Sequence, residues 1–137
     1  MVVTLLDSNV LIDVISSDPV WAHWSMQQMQ EAGEDGDLAI NQIIFGEVCA
    51  SFEHLEEIDA VLPADTYRRE DVPWAAAFLA SRAFRTYRRN GGTRTSLSPD
   101  FFIGAHAAVL GYRLLTRDPS KYRSYFPDVR LITPGMA

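Results

Sequence analysis

The chain has 137 residues, of which 47% are hydrophobic, and its formal net charge at neutral pH is −6. This length and apolar content predict one folded domain over residues 1–137 and exclude a long disordered protein. The acidic balance argues against a protein that coats nucleic acid without sequence preference, because such binding needs clustered lysine and arginine.

The cysteine content and the hydropathy pattern indicate the compartment. Cys49 is the only cysteine, so we expect neither an intrachain disulfide nor a cysteine-based zinc site. No apolar run approaches the roughly 18 residues of a membrane span. The first residues also lack the basic and apolar regions of a secretion signal. We therefore expect a protein of the reducing cytoplasm with no membrane contact.

The first half of the chain predicts two strands separated by helices. An uninterrupted apolar run predicts a buried strand over 2–6. Ser8 or Asn9 can cap the helix that follows, and the Asp18–Pro19 pair is typical of the start of the next helix. We expect helices over about 8–16 and 19–32, a break at 33–36, a strand over 38–40, and helices over 42–54 and 55–62.

Proline and glycine mark most boundaries in the second half of the chain. A long helix is expected from Pro73 to the glycine pair at 91–92. The segment 98–100 combines a capping serine, a proline and an acidic residue, which indicates the start of a helix that ends at Gly111. The remaining predicted elements are a short strand near 66–67, a strand over 112–116, a short helix from 118, and a last strand over 129–132.

This alternation of strands and helices predicts the fold class and the place of the site. It is typical of a mainly parallel sheet with helices on both faces. Such sheets bind ligands at the carboxyl edge of the strands. Asp7 follows the first strand directly, and Asp118 follows the strand over 112–116. We therefore predict an acidic pocket at that edge.

Four acidic residues are candidates for the pocket: Asp7, Glu47, Asp100 and Asp118. Each has another explanation when taken alone, as a cap, a turn residue, a helix-dipole partner or a side chain that reaches water. Together they form a costly arrangement, since neighbouring carboxylates repel one another and burial adds to the cost. Mg²⁺ or Mn²⁺ would relieve both penalties, because these hard cations prefer oxygen ligands.

Short polar side chains accompany the acidic residues. Ser8 and Asn9 follow Asp7 and can orient a carboxylate or a metal-bound water. Thr116 can hydrogen-bond a carboxylate or can simply finish its strand. The three histidines are scattered along the sequence and form no ligand pair, so we expect His106 to pack in the core or at its edge.

The order and spacing of these segments resemble the PIN-domain ribonucleases, and especially the VapC-like toxins of bacterial type II toxin–antitoxin modules. The resemblance covers nearly the whole chain, in the segments 5–13, 44–48, 99–107, 114–119 and 131–134. It implies a three-layer α/β/α PIN-like fold. Ser8 stands where the family often has threonine, and the hydroxyl is kept.

The resemblance also implies a function and partners. The family's metal-binding acids carry over to Asp7, Glu47, Asp100 and Asp118, and its supporting hydroxyl carries over to Thr116. The implied reaction is Mg²⁺- or Mn²⁺-dependent hydrolysis of RNA that leaves a 5′-phosphate and a 3′-hydroxyl. The implied partners are a cognate antitoxin, whose tail would block the pocket, and a second copy of the chain.

Two groups of side chains are candidates for contacts with RNA or with the antitoxin. Arg82, Arg85 and Arg89 share one helical face, which either guides a phosphate backbone or is an ordinary solvated surface. Arg117 can bind phosphate or pair with a surface acid. An early helix carries an apolar group that either belongs to an antitoxin groove or packs in the core: Trp21, Trp24 and Met29.

Three other functions remain open at this stage. A phosphatase of the haloacid dehalogenase type needs a second aspartate two residues after Asp7, where Asn9 stands. A receiver domain needs adjacent acids after the first strand. A non-catalytic interaction module that keeps the PIN fold is compatible with the sequence.

Overall fold

The computed structural model describes residues 2–135 of the chain. The ends of the expected domain, residue 1 and residues 136–137, lie outside the described residues. Within them, the strands are Val2–Leu6 (β1), Gly36–Asn41 (β2), Tyr67–Glu70 (β3), Arg113–Leu115 (β4) and Leu131–Ile132 (β5). The α-helices are Ser8–Ile15 (α1), Ala22–Asp35 (α2), Gln42–Cys49 (α3), Leu55–Val61 (α4), Trp74–Arg89 (α5) and Pro99–Leu110 (α6).

The strands form a parallel sheet in the order β3-β2-β1-β4-β5. β1 is therefore central, and its carboxyl end lies in the middle of the sheet edge. Leu6 at the end of β1 pairs with Leu115 at the end of β4. This register brings the next residue of each chain segment, Asp7 and Thr116, to the same point of the edge.

The central strand is covered on both faces. Val3, Thr4, Leu5 and Leu6 are all buried, although successive side chains of a strand point to opposite faces. Helices must therefore pack on both sides of the sheet, and the predicted α/β/α arrangement is confirmed. The buried hydroxyl of Thr4 accepts a hydrogen bond from Nε of Arg113 at 3.0 Å.

The first two helices begin differently from what the sequence predicts. Asp7, rather than Ser8 or Asn9, caps α1, because its extended backbone ends β1 and its carboxylate accepts from the amide of Ser8. The carboxylate of Asp18 accepts from the amides of Val20 and Trp21 in a turn that precedes α2. The expected helix start at Asp18–Pro19 is therefore wrong.

Other boundaries differ by a few residues. α2 continues through Gly33 to Asp35, since a glycine costs a helix only about 1 kcal/mol and packing of the buried Ala32 outweighs that cost. α3 ends at Cys49 rather than at residue 54. α6 ends as predicted, because Gly111 adopts the left-handed conformation with φ of 68°. No helix of residues 2–135 has the length and hydropathy needed to cross a membrane.

Candidate active site

Asp7 lies at the centre of the carboxyl edge and is almost completely buried, with 1% of its surface exposed. Its Oδ1 accepts from the amide of Ser8 at 2.8 Å. Its Oδ2 accepts from the hydroxyls of Thr116 and Tyr122, each at 2.8 Å. Burial nevertheless raises the pKa of Asp7, and the hydrogen bonds from Tyr122 and Thr116 offset only part of that effect.

Glu47 joins the site through a hydroxyl of α1. It lies on α3, is half-buried, and its Oε1 accepts from Oγ of Ser8 at 3.0 Å. Ser8 therefore contacts both carboxylates, with its amide on Asp7 and its hydroxyl on Glu47. Burial raises the pKa of Glu47, while the bond from Ser8 lowers it and the charge of Asp7 raises it further.

Thr116 connects the ends of β1 and β4. Its hydroxyl donates to Asp7 and accepts from Nδ2 of Asn9 at 3.2 Å and from the amide of Asp118 at 3.1 Å. Oδ1 of Asn9 in turn accepts from the amide of Arg117 at 3.3 Å. These bonds fix the backbone that carries Asp118, so Thr116 does more than finish its strand.

Asp100 lies in the first turn of α6, as predicted, and its carboxylate lies near two cations. Its Oδ2 is 3.6 Å from Nη1 of Arg94, and its Oδ1 is 3.5 Å from Nζ of Lys121. Asp118 lines the same cavity as Asp100 and accepts from the hydroxyl of Ser120 at 2.7 Å. The expected helix after Asp118 is one turn of 3-10 helix, Pro119–Lys121.

The charged groups of the site affect one another's pKa values. Burial is the largest cause of the raised pKa values of Asp7 and Glu47, and the charge of Asp100 adds to both. Lys121 lowers both pKa values, which is the effect expected of a cation between the carboxylates.

The donor set fits a hard divalent cation by chemistry, because it consists of partly desolvated carboxylate oxygens. In residues 2–135, however, no three side chains of aspartate, glutamate, histidine or cysteine lie close enough together to hold one metal ion. The predicted acids share one edge of the sheet but are not gathered around a single point. Holding an ion with three of them would require the side chains to reorient.

Sequence reasoning missed two residues of this site. Tyr122 is fully buried, and burial and the nearby Asp7 charge raise its pKa well above the ordinary value, so its hydroxyl remains a donor. Lys121 is the cation of the 3-10 turn that faces Asp100. Their positions just after Asp118 could have drawn attention to them, but spacing alone does not reveal which way a short turn points.

The arginines predicted to contact RNA lie in two different environments. Arg82, Arg85 and Arg89 are exposed on α5, and the guanidinium of Arg82 lies over the ring of Phe78 at 4.8 Å. Arg117 instead pairs with Asp13, with Nε at 2.7 Å from Oδ2 and Nη2 at 3.1 Å from Oδ1. The alternative of a paired arginine is thus the observed one, although Asp13 is buried rather than on the surface.

The remaining candidate side chains are mostly structural. Trp24 packs against the core, Met29 is buried, and the rings of Trp21 and Trp24 meet edge to face at 6.0 Å. His106 is fully buried, as predicted, and its Nδ1 lies 2.9 Å from Nδ2 of Asn41.

The sequence of this chain matches the model of a known domain family over most of its length. The sequence model of the PIN domain matches residues 4–126. The chain belongs to the PIN domain family. This confirms the resemblance predicted from the sequence, and the parallel sheet with its central acidic edge is the PIN fold. No curated protein matches this PIN domain.

Several solved structures share the fold of this PIN domain over nearly its whole length. One is VapBC2 from Rickettsia felis bound to a DNA fragment from their promoter, with a TM-score of 0.74, 15% identity, and coverage of 96% of this chain and 98% of that chain. Another is VapBC-1 from nontypeable Haemophilus influenzae, with a TM-score of 0.73, 16% identity, and coverage of 96% and 97%. A toxin–antitoxin complex from Klebsiella pneumoniae has a TM-score of 0.69, 22% identity, and coverage of 98% and 99%. At these identities the likeness establishes the fold.

Proposed function

We propose that this chain is a divalent-metal-dependent endoribonuclease and the toxin of a toxin–antitoxin pair. The observation that carries the proposal is the environment of Asp7, which is buried at the end of the central strand beside other acids. Burial disfavours the charge of such a carboxylate, so its cap of α1 comes with a desolvation cost that an uncharged capping residue would avoid. A site that binds a cation is the function that best explains it, and membership of the PIN family supports this explanation.

The proposed metal ligands are Asp7, Glu47, Asp100 and Asp118, and the proposed ion is Mg²⁺ or Mn²⁺. When bound, such an ion makes a water easier to deprotonate and offsets charge on a phosphodiester during hydrolysis. Ser8 positions Glu47 through its hydroxyl.

The hydroxyls of Thr116 and Tyr122 hold Oδ2 of Asp7, and Asn9 steadies Thr116. These contacts fix the carboxylate before any ion arrives, which reduces the cost of organising the site.

The proposed substrate is RNA, and basic side chains on α5 would contact its backbone. Arg82, Arg85 and Arg89 are exposed and lie on the helix that packs beside α6, which carries Asp100. Exposed arginines on one face can bind successive phosphates without reading sequence. Arg117 is a weaker candidate, because its guanidinium is already paired with Asp13.

The proposed partners follow from the structural neighbours, one of which is a toxin–antitoxin complex. We infer a small cognate antitoxin whose tail blocks the acidic pocket. We also infer a homodimer of two copies of this chain, each a single PIN-like domain. The pair Trp21 and Trp24 is the proposed part of the antitoxin groove, since both rings are only partly buried.

The test is RNA cleavage by the purified protein in Mg²⁺, in Mn²⁺ and in EDTA, with transfer, ribosomal and messenger RNA as substrates. Asp7→Asn keeps the size of the side chain and removes its charge. Asp65→Asn makes the same change at an exposed acid outside the site. Metal-dependent cleavage that Asp7→Asn loses and Asp65→Asn keeps would support the proposal. Absence of cleavage of every RNA by antitoxin-free protein would instead favour a non-catalytic interaction module.

A further inference from the structure

The cavity that Asp100 and Asp118 line extends beyond the acidic edge and has a different chemistry there. Its volume is about 310 Å³, and it shares Asp100 and Asp118 with the candidate active site. Its other lining side chains include three aromatic rings and two cations: Tyr87, Phe101, Tyr125, Arg94 and Lys121. Its volume lies at the lower end of the range of small-ligand pockets, and the three rings are its apolar part.

The aromatic rings form a continuous wall of the cavity. The ring centroid of Tyr87 is 5.7 Å from that of Phe101 and 6.0 Å from that of Tyr125, and Phe101 and Tyr125 are 5.8 Å apart. Phe101 is buried, whereas Tyr87 and Tyr125 are partly exposed. The wall therefore presents π surface next to a group of carboxylates.

The loop after α5 is fixed against this wall. The hydroxyl of Tyr87 accepts from the amides of Thr93 and Arg94 at 3.1 and 3.0 Å. Nη1 of Arg88 donates to the carbonyl of Arg94 at 2.7 Å. A Cβ at position 92 would overlap the ring of Tyr87, so only glycine lets the loop pass this closely. The cavity is thus preformed rather than a gap in a loose loop.

Two cations at the rim are engaged with one acid. Arg94 and Lys121 lie 3.6 and 3.5 Å from opposite oxygens of Asp100, and both side chains are partly exposed. These distances are those of loose ion pairs, and such exposed pairs contribute little to stability. Both side chains can exchange Asp100 for the phosphate of a ligand once a metal ion neutralises the acid.

We propose that this cavity binds one nucleoside of a single-stranded RNA substrate, next to the phosphate at the acidic edge. The base stacks on Tyr125 with its edge against Tyr87, since the planes of these two rings meet at 79°, while Arg94 and Lys121 contact its phosphates. Stacking on aromatic side chains accepts any base, so the cavity favours unpaired nucleotides over a particular sequence. This inference deepens the proposed function and rests on it for the choice of RNA as the ligand.

Tyr125 is the residue to change, because Tyr87 also anchors the loop. The test measures the affinity of labelled single-stranded RNA of mixed sequence by fluorescence anisotropy in Ca²⁺, which binds carboxylate oxygens but does not impose the strict octahedral geometry of Mg²⁺. A gel of the RNA after the titration checks that it is uncut. An abasic oligonucleotide of the same length provides a ligand with the same backbone charge and no bases. We expect wild-type protein to bind the base-containing RNA roughly tenfold more tightly, as for one stacked base.

The variants separate stacking from folding. Tyr125→Leu should remove the preference for bases, and Tyr125→Phe should retain it because the ring is kept. Trp74→Leu is the matched control, since Trp74 is 93% exposed and lies at the opposite end of α5 from Tyr87. A melting temperature for each variant reports whether it folds.

Each outcome bears on the inference separately from the proposed function. Equal binding of the two oligonucleotides by wild-type protein would overturn the inference, whether or not Tyr125→Leu folds. A base preference that survives in folded Tyr125→Leu would overturn it as well, and metal-dependent cleavage could still be intact. If Tyr125→Leu loses the base preference and the wild-type protein cleaves no RNA, the binding site is supported and the nuclease function is rejected.

Discussion

The hydroxyl of Tyr122 donates to Oδ2 of Asp7 at 2.8 Å, across 115 positions of the sequence. Both residues are buried, so neither group can exchange this bond for one to water. The bond favours the charged carboxylate and lowers the pKa of Asp7 against the larger effect of burial. Tyr122 is therefore a positioning residue for the acid at the centre of the proposed site.

Tyr122→Phe should weaken both folding and the proposed activity. Losing one buried donor to a charged group costs about 2 kcal/mol in the free energy of unfolding, which urea titration measures. The pKa of Asp7 should rise, so the acidic limb of the cleavage–pH profile should move to higher pH. Tyr67→Phe removes a hydroxyl at a partly exposed position on β3, outside the site, and serves as the control. An unchanged pH profile in Tyr122→Phe would contradict the positioning role.

The metal-free protein should lose stability as pH rises above the ordinary carboxyl range. The pKa values of Asp7 and Glu47 are raised by burial above their ordinary values of 3.8 and 4.5. Between the unfolded and folded pKa values, the folded state binds more protons than the unfolded state. The contribution of these protons to the free energy of unfolding is therefore complete below the ordinary pKa values, and it is lost as pH rises through the raised pKa values. Urea unfolding in EDTA at a series of pH values above 4.5, the ordinary pKa of a glutamate, measures how the free energy of unfolding changes with pH.

Asp7→Asn should flatten this pH dependence, because the amide does not titrate. Asp65→Asn should leave it as in the wild type, since Asp65 is exposed. Adding Mn²⁺ should stabilise the wild type more at higher pH, where the carboxylates are charged. A pH dependence in Asp7→Asn identical to that of the wild type would contradict the raised pKa of Asp7.

Lys121→Met should strengthen metal binding. Nζ of Lys121 lies 3.5 Å from Oδ1 of Asp100, and its charge lowers the pKa of Asp7 and Glu47. A divalent ion bound about 4 Å from this ammonium meets a repulsion of about 2 kcal/mol in a water-like dielectric, which corresponds to about a thirtyfold loss of affinity. Calorimetric titration with Mn²⁺ measures the change. Affinity that falls in Lys121→Met would show that the lysine does not compete with the ion.

The sequence allowed the place of Asp7 to be predicted, because it depends on a local signal. An apolar run followed by an acid marks the end of a buried parallel strand, and the register of β1 with β4 brings Asp7 beside Thr116. Helix starts were less predictable. Asp18 accepts from two backbone amides in a turn that precedes α2, and the sequence of such a turn resembles that of a helix cap. The two differ only in whether the residues that follow adopt a helical backbone.

Contacts between distant segments were outside the reach of sequence patterns. The bond from Ser8 to Glu47 depends on the angle between α1 and α3, and the bond from Tyr122 to Asp7 depends on the direction of one 3-10 turn. Arg117 illustrates the same limit. Its neighbour along the chain is Asp118, but its guanidinium pairs with an acid of α1, 104 positions away.

Arg117→Ala should lower stability more than it affects RNA binding. Asp13 has 2% of its side chain exposed, and Arg117 makes two hydrogen bonds to it, while Ser25 donates a third at 3.0 Å. Removing the guanidinium leaves a buried carboxylate with only the serine. The expected loss is about 2 kcal/mol, less than for a fully buried pair because 34% of the Arg117 side chain is exposed.

The control is Arg123→Ala, which removes an exposed arginine from the segment that follows the 3-10 turn. Urea unfolding should separate the two variants, with Arg123→Ala close to the wild type. At a temperature where both are folded, a structural role predicts an unchanged KM for RNA cleavage by Arg117→Ala. A raised KM with unchanged stability would instead assign Arg117 to the RNA backbone, since a phosphate contact adds to binding and not to the folding of the free protein.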